Sequence, residues 1–199
     1  MKSYSQAGQD IFVSTLLPHR DGTFLDVGCS HPVELSNTYA LETEMDWRGI
    51  LMDSCVNSSE MCLEQRKSLT ICADATKFDW ADVLRKFGKQ PIDYLSLDVD
   101  EFQVKALDNL VRATDATGTR FRVMTVETDR YRFGDGPRAH IIQALQSRGY
   151  TLIADDVKSQ GCAFETWWVD PSLVDMTIAN RYRSCALEWS DILKLGAVA

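Results

Sequence analysis

The sequence predicts a doubly wound α/β fold: a seven-stranded, mostly parallel sheet that ends in an antiparallel hairpin. Three observations predict it. Short, continuously apolar runs recur along the chain, segments with helical spacing separate them, and the last two runs lie too close together for a helix to fit between. Continuous rather than alternating hydrophobicity marks strands buried on both faces, as in a parallel sheet covered by helices. Strand–helix alternation then selects the doubly wound arrangement.

The apolar runs are 23–28, 49–53, 69–73, 92–98, 122–127, 151–154 and 162–169, and helices are expected over 37–46, 58–67, 80–88, 102–113 and 138–148. In the fourth helix Val104, Leu107, Leu110 and Val111 share one face. Only residues 155–161 separate the last two runs, too few for a crossover helix, so these runs pair as a hairpin. Strand–helix units followed by such a hairpin are the plan of class I methyltransferases. A nicotinamide-binding domain of the Rossmann type ends on a parallel strand instead, which argues against an oxidoreductase.

The 199 residues fit a single domain over 1–199, and 45% apolar with 25% charged residues is an ordinary globular composition. The net charge of −8, from 29 acids against 21 bases, disfavours nucleic acid as a partner. Phosphate neutralisation normally supplies much of that affinity. Six cysteines without CxxC pairs read as reduced thiols in a cytoplasmic setting. Residues Met1-Lys2-Ser3-Tyr4-Ser5 carry no apolar signal core, and no run approaches the roughly 18 residues of a membrane span.

Ligands of open α/β sheets sit outside the carboxyl ends of the strands, so the residues closing each run carry the functional information. The first run ends Asp26-Val27-Gly28. Gly28 lets backbone approach a ligand, and Asp26 suits a cationic group such as an amino-acid ammonium; the same residues also suit a plain strand-to-helix turn. Cys29-Ser30-His31-Pro32 follows where a glycine-rich phosphate loop would continue, which fits a cofactor without phosphate. The second run ends at Asp53, placed to accept from ribose hydroxyls, and Asp74 after the third is placed to accept from an adenine amino group. His31 suits either a ligand contact or a turn.

Tyr4-Ser5-Gln6-Ala7-Gly8-Gln9-Asp10 resembles the opening of FkbM-type methyltransferases. The resemblance continues through Phe24–Gly28, Ser36-Asn37-Thr38-Tyr39-Ala40-Leu41-Glu42, Trp47-Arg48-Gly49-Ile50 and 92–100, and spans about residues 4–130. It implies a Rossmann-like domain that binds S-adenosylmethionine (SAM) and methylates hydroxyl oxygens. It also implies that Gln9, Asn37 and Thr38 join Asp26, Gly28, Asp53, Asp74 and Asp98 in holding the cofactor. The chain departs from the family at His31-Pro32, at Asp53-Ser54 where Glu-Pro is common, and at Asp100-Glu101 where Glu-Gly is usual.

Asp98-Val99-Asp100-Glu101 closes the fourth run and Glu127-Thr128-Asp129 the fifth. This layout resembles sugar O-methyltransferases of the macrocin type, whose acids hold magnesium. That likeness implies Asp98 and Glu127 as ligands of Mg2+ and Asp100 as general base, a set that suits a hard cation. The alternative is that Asp98 caps the next helix and contacts SAM, with no metal. Arg130, Tyr131 and Arg132 follow in a stretch that reads as a loop. They suit a substrate cover, with rings stacking on a sugar and arginines forking an anion, or a solvated loop.

The expected function is SAM-dependent O-methylation of a small-molecule or glycan acceptor. A catalytically inactive SAM- or nucleoside-binding module of the same fold is the alternative.

Overall fold

The computed structural model describes residues 1–88 and 91–197. Among these the strands are β1 (Thr23–Val27), β2 (Arg48–Asp53), β3 (Leu69–Cys72), β4 (Ile92–Leu97), β5 (Phe121–Glu127), β6 (Thr151–Ser159), β7 (Cys162–Val169) and β8 (Ser184–Cys185). They form one sheet in the order β3-β2-β1-β4-β5-β7-β6-β8. Strands β1 to β5 are parallel, whereas β7 runs antiparallel to both β5 and β6. The expected mostly parallel sheet and terminal hairpin are therefore both present.

Two features differ from the sequence reading. Residues 155–159, read as part of a loop, continue β6 and pair with β7 across three register irregularities. These irregularities break the alternation by which a strand is recognised. The hairpin turn is only Gln160-Gly161, both left-handed at φ 53° and 83°. The eighth strand, β8, pairs parallel to β6 at the sheet edge. Two residues are too few to show any periodicity.

The helices are α1 (Gln9–Leu16), α2 (Tyr39–Glu44), α3 (Val56–Gln65), α4 (Trp80–Phe87), α5 (Gln103–Thr117), α6 (Arg130–Phe133), α7 (Asp135–Gln146), α8 (Met176–Ala179) and α9 (Trp189–Ala197). Side chains alternate across the pleat, so each inner strand feeds two cores. Phe24, Tyr94, Val123 and Trp167 pack on one face with Phe12 of α1, Leu41 of α2 and Ile192 of α9. Leu25, Leu95, Met124 and Trp168 pack on the other with Trp80 of α4, Leu107 of α5 and Ile141 of α7. Helix α1 was not expected from the sequence. Gly8 opens it in the left-handed region, and Phe12 stacks on Trp167 at 4.5 Å. No helix among the described residues is long and apolar enough to cross a membrane.

Gly28 follows immediately on β1 with φ 88°. A Cβ there would lie 1.5 Å from the carbonyl oxygen of Asp98. Left-handed strain in a non-glycine residue costs about 1–3 kcal/mol, and the overlap with backbone adds to it. Gly28→Ala should therefore lose more stability than backbone strain alone explains. Equilibrium urea unfolding with an unchanged midpoint would contradict this packing.

Candidate functional site

A cleft of about 1340 Å³ opens where the parallel strands end. Asp26, Gly28, Asn37, Asp53, Asp74 and Asp98 line it, six of the eight residues expected to hold a cofactor. Gln9 and Thr38 do not form its wall.

Asp26 is buried and accepts from Thr38 Oγ1 at 2.6 Å. Burial pushes its carboxyl up to about 6, against the opposing pull of Thr38 and Arg66. Thr38 is itself held by Arg66, whose Nη2 donates to Thr38 Oγ1 at 3.1 Å. The buried Arg66 guanidinium also donates to Pro32 O at 3.1 Å, Ser36 Oγ at 3.2 Å and Glu42 Oε1 at 3.1 Å. Burial alone would raise the Glu42 carboxyl; the Lys67 amide, Ser68 and Arg66 outweigh it and hold the group below its ordinary range. Thr38 thus orients a cleft residue from behind.

Asp53 closes β2 with both oxygens engaged. Oδ2 accepts from Ser30 N at 2.9 Å and Oδ1 from Cys55 N at 2.8 Å. Each carboxylate oxygen keeps a further acceptor position. Asn37 donates from Nδ2 to Ser96 Oγ at 2.9 Å, while its Oδ1 is buried without a partner. Asp74 is committed to its own turn. It accepts from Lys77 Nζ at 2.8 Å and Thr76 Oγ1 at 2.6 Å, contacts that bring its carboxyl down to about 2. Nδ1 of His31 accepts from Val33 N and Glu34 N, which gives that residue the turn role.

Gln9 lies under the cleft, 1% exposed, and donates to Glu165 Oε2 at 2.6 Å. Its neighbour in the same motif, Gln6, lines the cleft. The left-handed Gly8 that starts α1 turns Gln9 inward. Glu165 is pushed up to about 8 by burial, despite the N–H groups of Gln9 and Trp167.

At the ends of β4 and β5 the side chains of Asp98 and Glu127 share a hydrogen bond. Burial raises both carboxyls, and the charge on Asp98 holds Glu127 higher still. The two titrate as one pair that burial biases toward holding a proton, with Glu127 raised the more of the two. Glu127 lies opposite Glu165 in the β5–β7 register, so three acids cross adjacent strands at one level.

Asp100 does not join them. Strand β4 stops at Leu97, and Asp100, read as the general base, turns left-handed at φ 50°. Its exposed carboxylate stands at the cleft mouth and pairs with Arg132 Nη1 at 2.8 Å. Arg132 pairs at the same time with the buried Asp129, at 2.9 Å.

The stretch read as a loop is the one-turn helix α6, because Arg132, Phe133 and Gly134 donate their amides back to Asp129 and Arg130. Arg130 is held by Asp135 and Asp156, and Tyr131 is 56% exposed. None of Arg130, Tyr131 and Arg132 lines the cleft. The donor set for magnesium does not fit either. Asp98 and Glu127 bond to each other, Asp100 is held by Arg132, and no group of three or more His, Cys, Asp or Glu among the described residues is arranged to hold a metal.

No family model and no curated protein matches the sequence. Solved structures match the fold. A protein from Clostridium thermocellum described as an rRNA methylase is 11% identical, with 85% of this chain and 97% of that one covered and a TM-score of 0.55. A Streptococcus mutans protein described as a methyltransferase, in complex with SAH, is 9% identical, with 85% and 99% covered and a TM-score of 0.55. Magnesium protoporphyrin IX methyltransferase from Synechocystis, with bound SAM, is 11% identical, with 82% and 77% covered and a TM-score of 0.51. The chain has the Rossmann-like α/β fold of class I methyltransferases.

Two expected outcomes follow from the buried charges. Arg66→Met leaves Glu42 buried and unpaired, a loss on the order of 3–5 kcal/mol, and the double variant with Glu42→Gln should regain part of it. Urea unfolding in which the double variant is no better than the single one would show that the pair is not coupled. The second concerns Glu165, whose carboxyl rises from 4.5 to about 8 on folding. The folded state then binds the extra proton, so the stabilisation is complete below pH 4.5 and is lost as pH rises through about 8. Over that window Glu165→Gln should lose stability less steeply than the parent. Parallel curves of unfolding free energy against pH would refute the assignment.

Proposed function

We propose that the protein is a SAM-dependent O-methyltransferase acting on a hydroxyl of a small polar or carbohydrate-type acceptor. The observation that carries this reading is the proton-sharing pair Asp98–Glu127, which stands beside a cleft built without a phosphate loop. Bound SAM supplies an electrophilic methyl group on a sulfonium. Asp53 then accepts from the ribose hydroxyls, and Asp26 with Asn37 Oδ1 faces the amino-acid ammonium. Asp98 takes the acceptor's hydroxyl proton as the methyl group arrives, while the carboxyl of Glu127 steadies its charge. The FkbM-type motifs support oxygen as the acceptor atom, and the net charge of −8 counts against a polyanionic substrate.

The Asp100–Arg132 ion pair favours a second reading. It withdraws one of three expected catalytic acids, as in an inactive SAM-binding module. Turnover separates the two. Isotope-labelled SAM with a panel of hydroxyl-bearing acceptors should yield a methyl ether, with label on oxygen by NMR. SAM binding without turnover would leave the inactive module, and absence of SAM binding would overturn both.

Asp53→Ala should weaken SAM binding by about 1.5–3 kcal/mol through loss of a charged acceptor. Calorimetry with unchanged affinity would remove Asp53 from the site. Asp98→Asn should lower kcat by roughly 10²–10⁴-fold, the usual share of a positioned base. In the parent, kcat should fall on the acid side as the pair takes up its second proton, and a rate indifferent to acid would exclude the pair as base.

A further inference from the structure

Cys29 and Cys62 stand apart from the chemistry above. Cys29 follows Gly28 and forms part of the cleft wall, whereas Cys62 lies on the inner face of α3. Their sulfurs are 3.7 Å apart, and both residues belong to the core on that face of the sheet. All six cysteines are free; Cys55, Cys72, Cys162 and Cys185 are exposed, and Cys55 also lines the cleft. A thiol used only as a small hydrophobe needs no sulfur neighbour. Here two sulfurs meet, and one of them belongs to a residue of the cleft wall.

We propose that Cys29 and Cys62 form a reversible disulfide, made by peroxide that enters through the cleft, and that this bond closes the site to SAM. The consequence for SAM rests on the functional reading above; the disulfide itself does not. The chemistry balances in two steps. One thiol of the pair takes an oxygen from hydrogen peroxide, the O–O bond breaks, and a sulfenic acid and one water result. The second sulfur attacks the first, the S–S bond forms, and the sulfenic hydroxyl leaves as a second water with the remaining thiol proton. Two thiols are oxidised and one peroxide is reduced.

A disulfide has sulfurs about 2.05 Å apart, so a side chain must rotate or the backbone of one partner must shift. Any backbone shift on the Cys29 side falls on the loop that shapes the cleft. The amides of Gly28 and Cys29 both donate to Met52 O, at 2.8 and 3.0 Å, and Ser30 N donates to Asp53 Oδ2 at 2.9 Å. Drawing Cys29 toward α3 pulls on all three bonds and so on Asp53. Bound cofactor covers the same wall, so SAM and peroxide exclude each other.

The test treats the full chain with hydrogen peroxide, with and without saturating SAM, and maps peptides by mass spectrometry. Expected is a 29–62 cross-link, two hydrogens lighter than the two thiol peptides together, formed without SAM, suppressed by it and reversed by dithiothreitol. The oxidised chain should bind SAM at least tenfold more weakly, and dithiothreitol should restore binding. Cys62→Ala should keep its SAM affinity after peroxide treatment. If that variant does not fold, the peptide map of the parent decides alone. Sulfinic or sulfonic acid at Cys29, a cross-link through other cysteines, or no cross-link overturns the site. A 29–62 bond that leaves SAM affinity intact overturns the closure. If the reduced parent binds no SAM, the functional reading and the closure fall together, and the map still judges the bond.

Discussion

One buried cation, Arg66, organises the cleft side of the molecule. Residues 28–38 carry no regular helix or strand, yet they must hold Asp26 and Asn37 in register. The guanidinium draws on Pro32 and Ser36 of that loop, Thr38 at its end and Glu42 of α2, while the Glu42 carboxylate receives the amides of Lys67 and Ser68 ahead of β3. A planar cation with several fixed donors can serve partners in different directions at once; a lysine ammonium, compact and strongly hydrated, cannot. The same charge reaches Asp26 through Thr38 and tempers the rise that burial imposes on that carboxyl. Loop, α2, α3 and β3 thus share one electrostatic anchor, and the position of the first cleft acid depends on it.

The strands were legible because continuous apolar runs survive in sequence. Runs 23–28, 49–53, 69–73, 92–98 and 122–127 each match β1 to β5 within a residue or so. The acids at their ends were legible for the same reason, since parallel topology brings strand ends to one edge. What escaped depended on partners distant in sequence. Arg66 and Glu42 lie 24 residues apart and read as ordinary surface charges until the fold joins them. Glu165 left a usable signal, an acid inside the apolar run 162–169, because a buried carboxyl needs donors or a proton. Asp100 read as one more acid of that edge, but β4 stops at Leu97 and the left-handed Asp100 pairs with Arg132 instead. Segment 130–133 looked like a loop because its cations and aromatics show no helical stripe; ion pairs to Asp135, Asp156, Asp100 and Asp129 fix it instead.

The acids of the sheet edge differ in what relieves them. Neighbouring strands stand about 4.8 Å apart, so Asp98, Glu127 and Glu165 at one level cannot all ionise in a buried setting. Glu165 is closed off beneath α1 with the N–H groups of Gln9 and Trp167, and Glu127 is buried with a proton bonded to Asp98. Asp98 alone of the three borders the cleft, where water or a ligand can solvate its charge. The negative charge of the row therefore settles on the one residue that a reactant can reach, and burial, with the nearby charges of Asp100 and Asp129, keeps that residue's proton affinity above that of an ordinary aspartate although the Glu127 hydrogen bond pulls it down. An aspartate in water is too weak a base to help a hydroxyl lose its proton; one placed at the open end of a buried, proton-sharing row is a better one. The same parallel topology that builds the cleft thus sets the basicity at its rim, and that coupling ties the fold to the proposed chemistry.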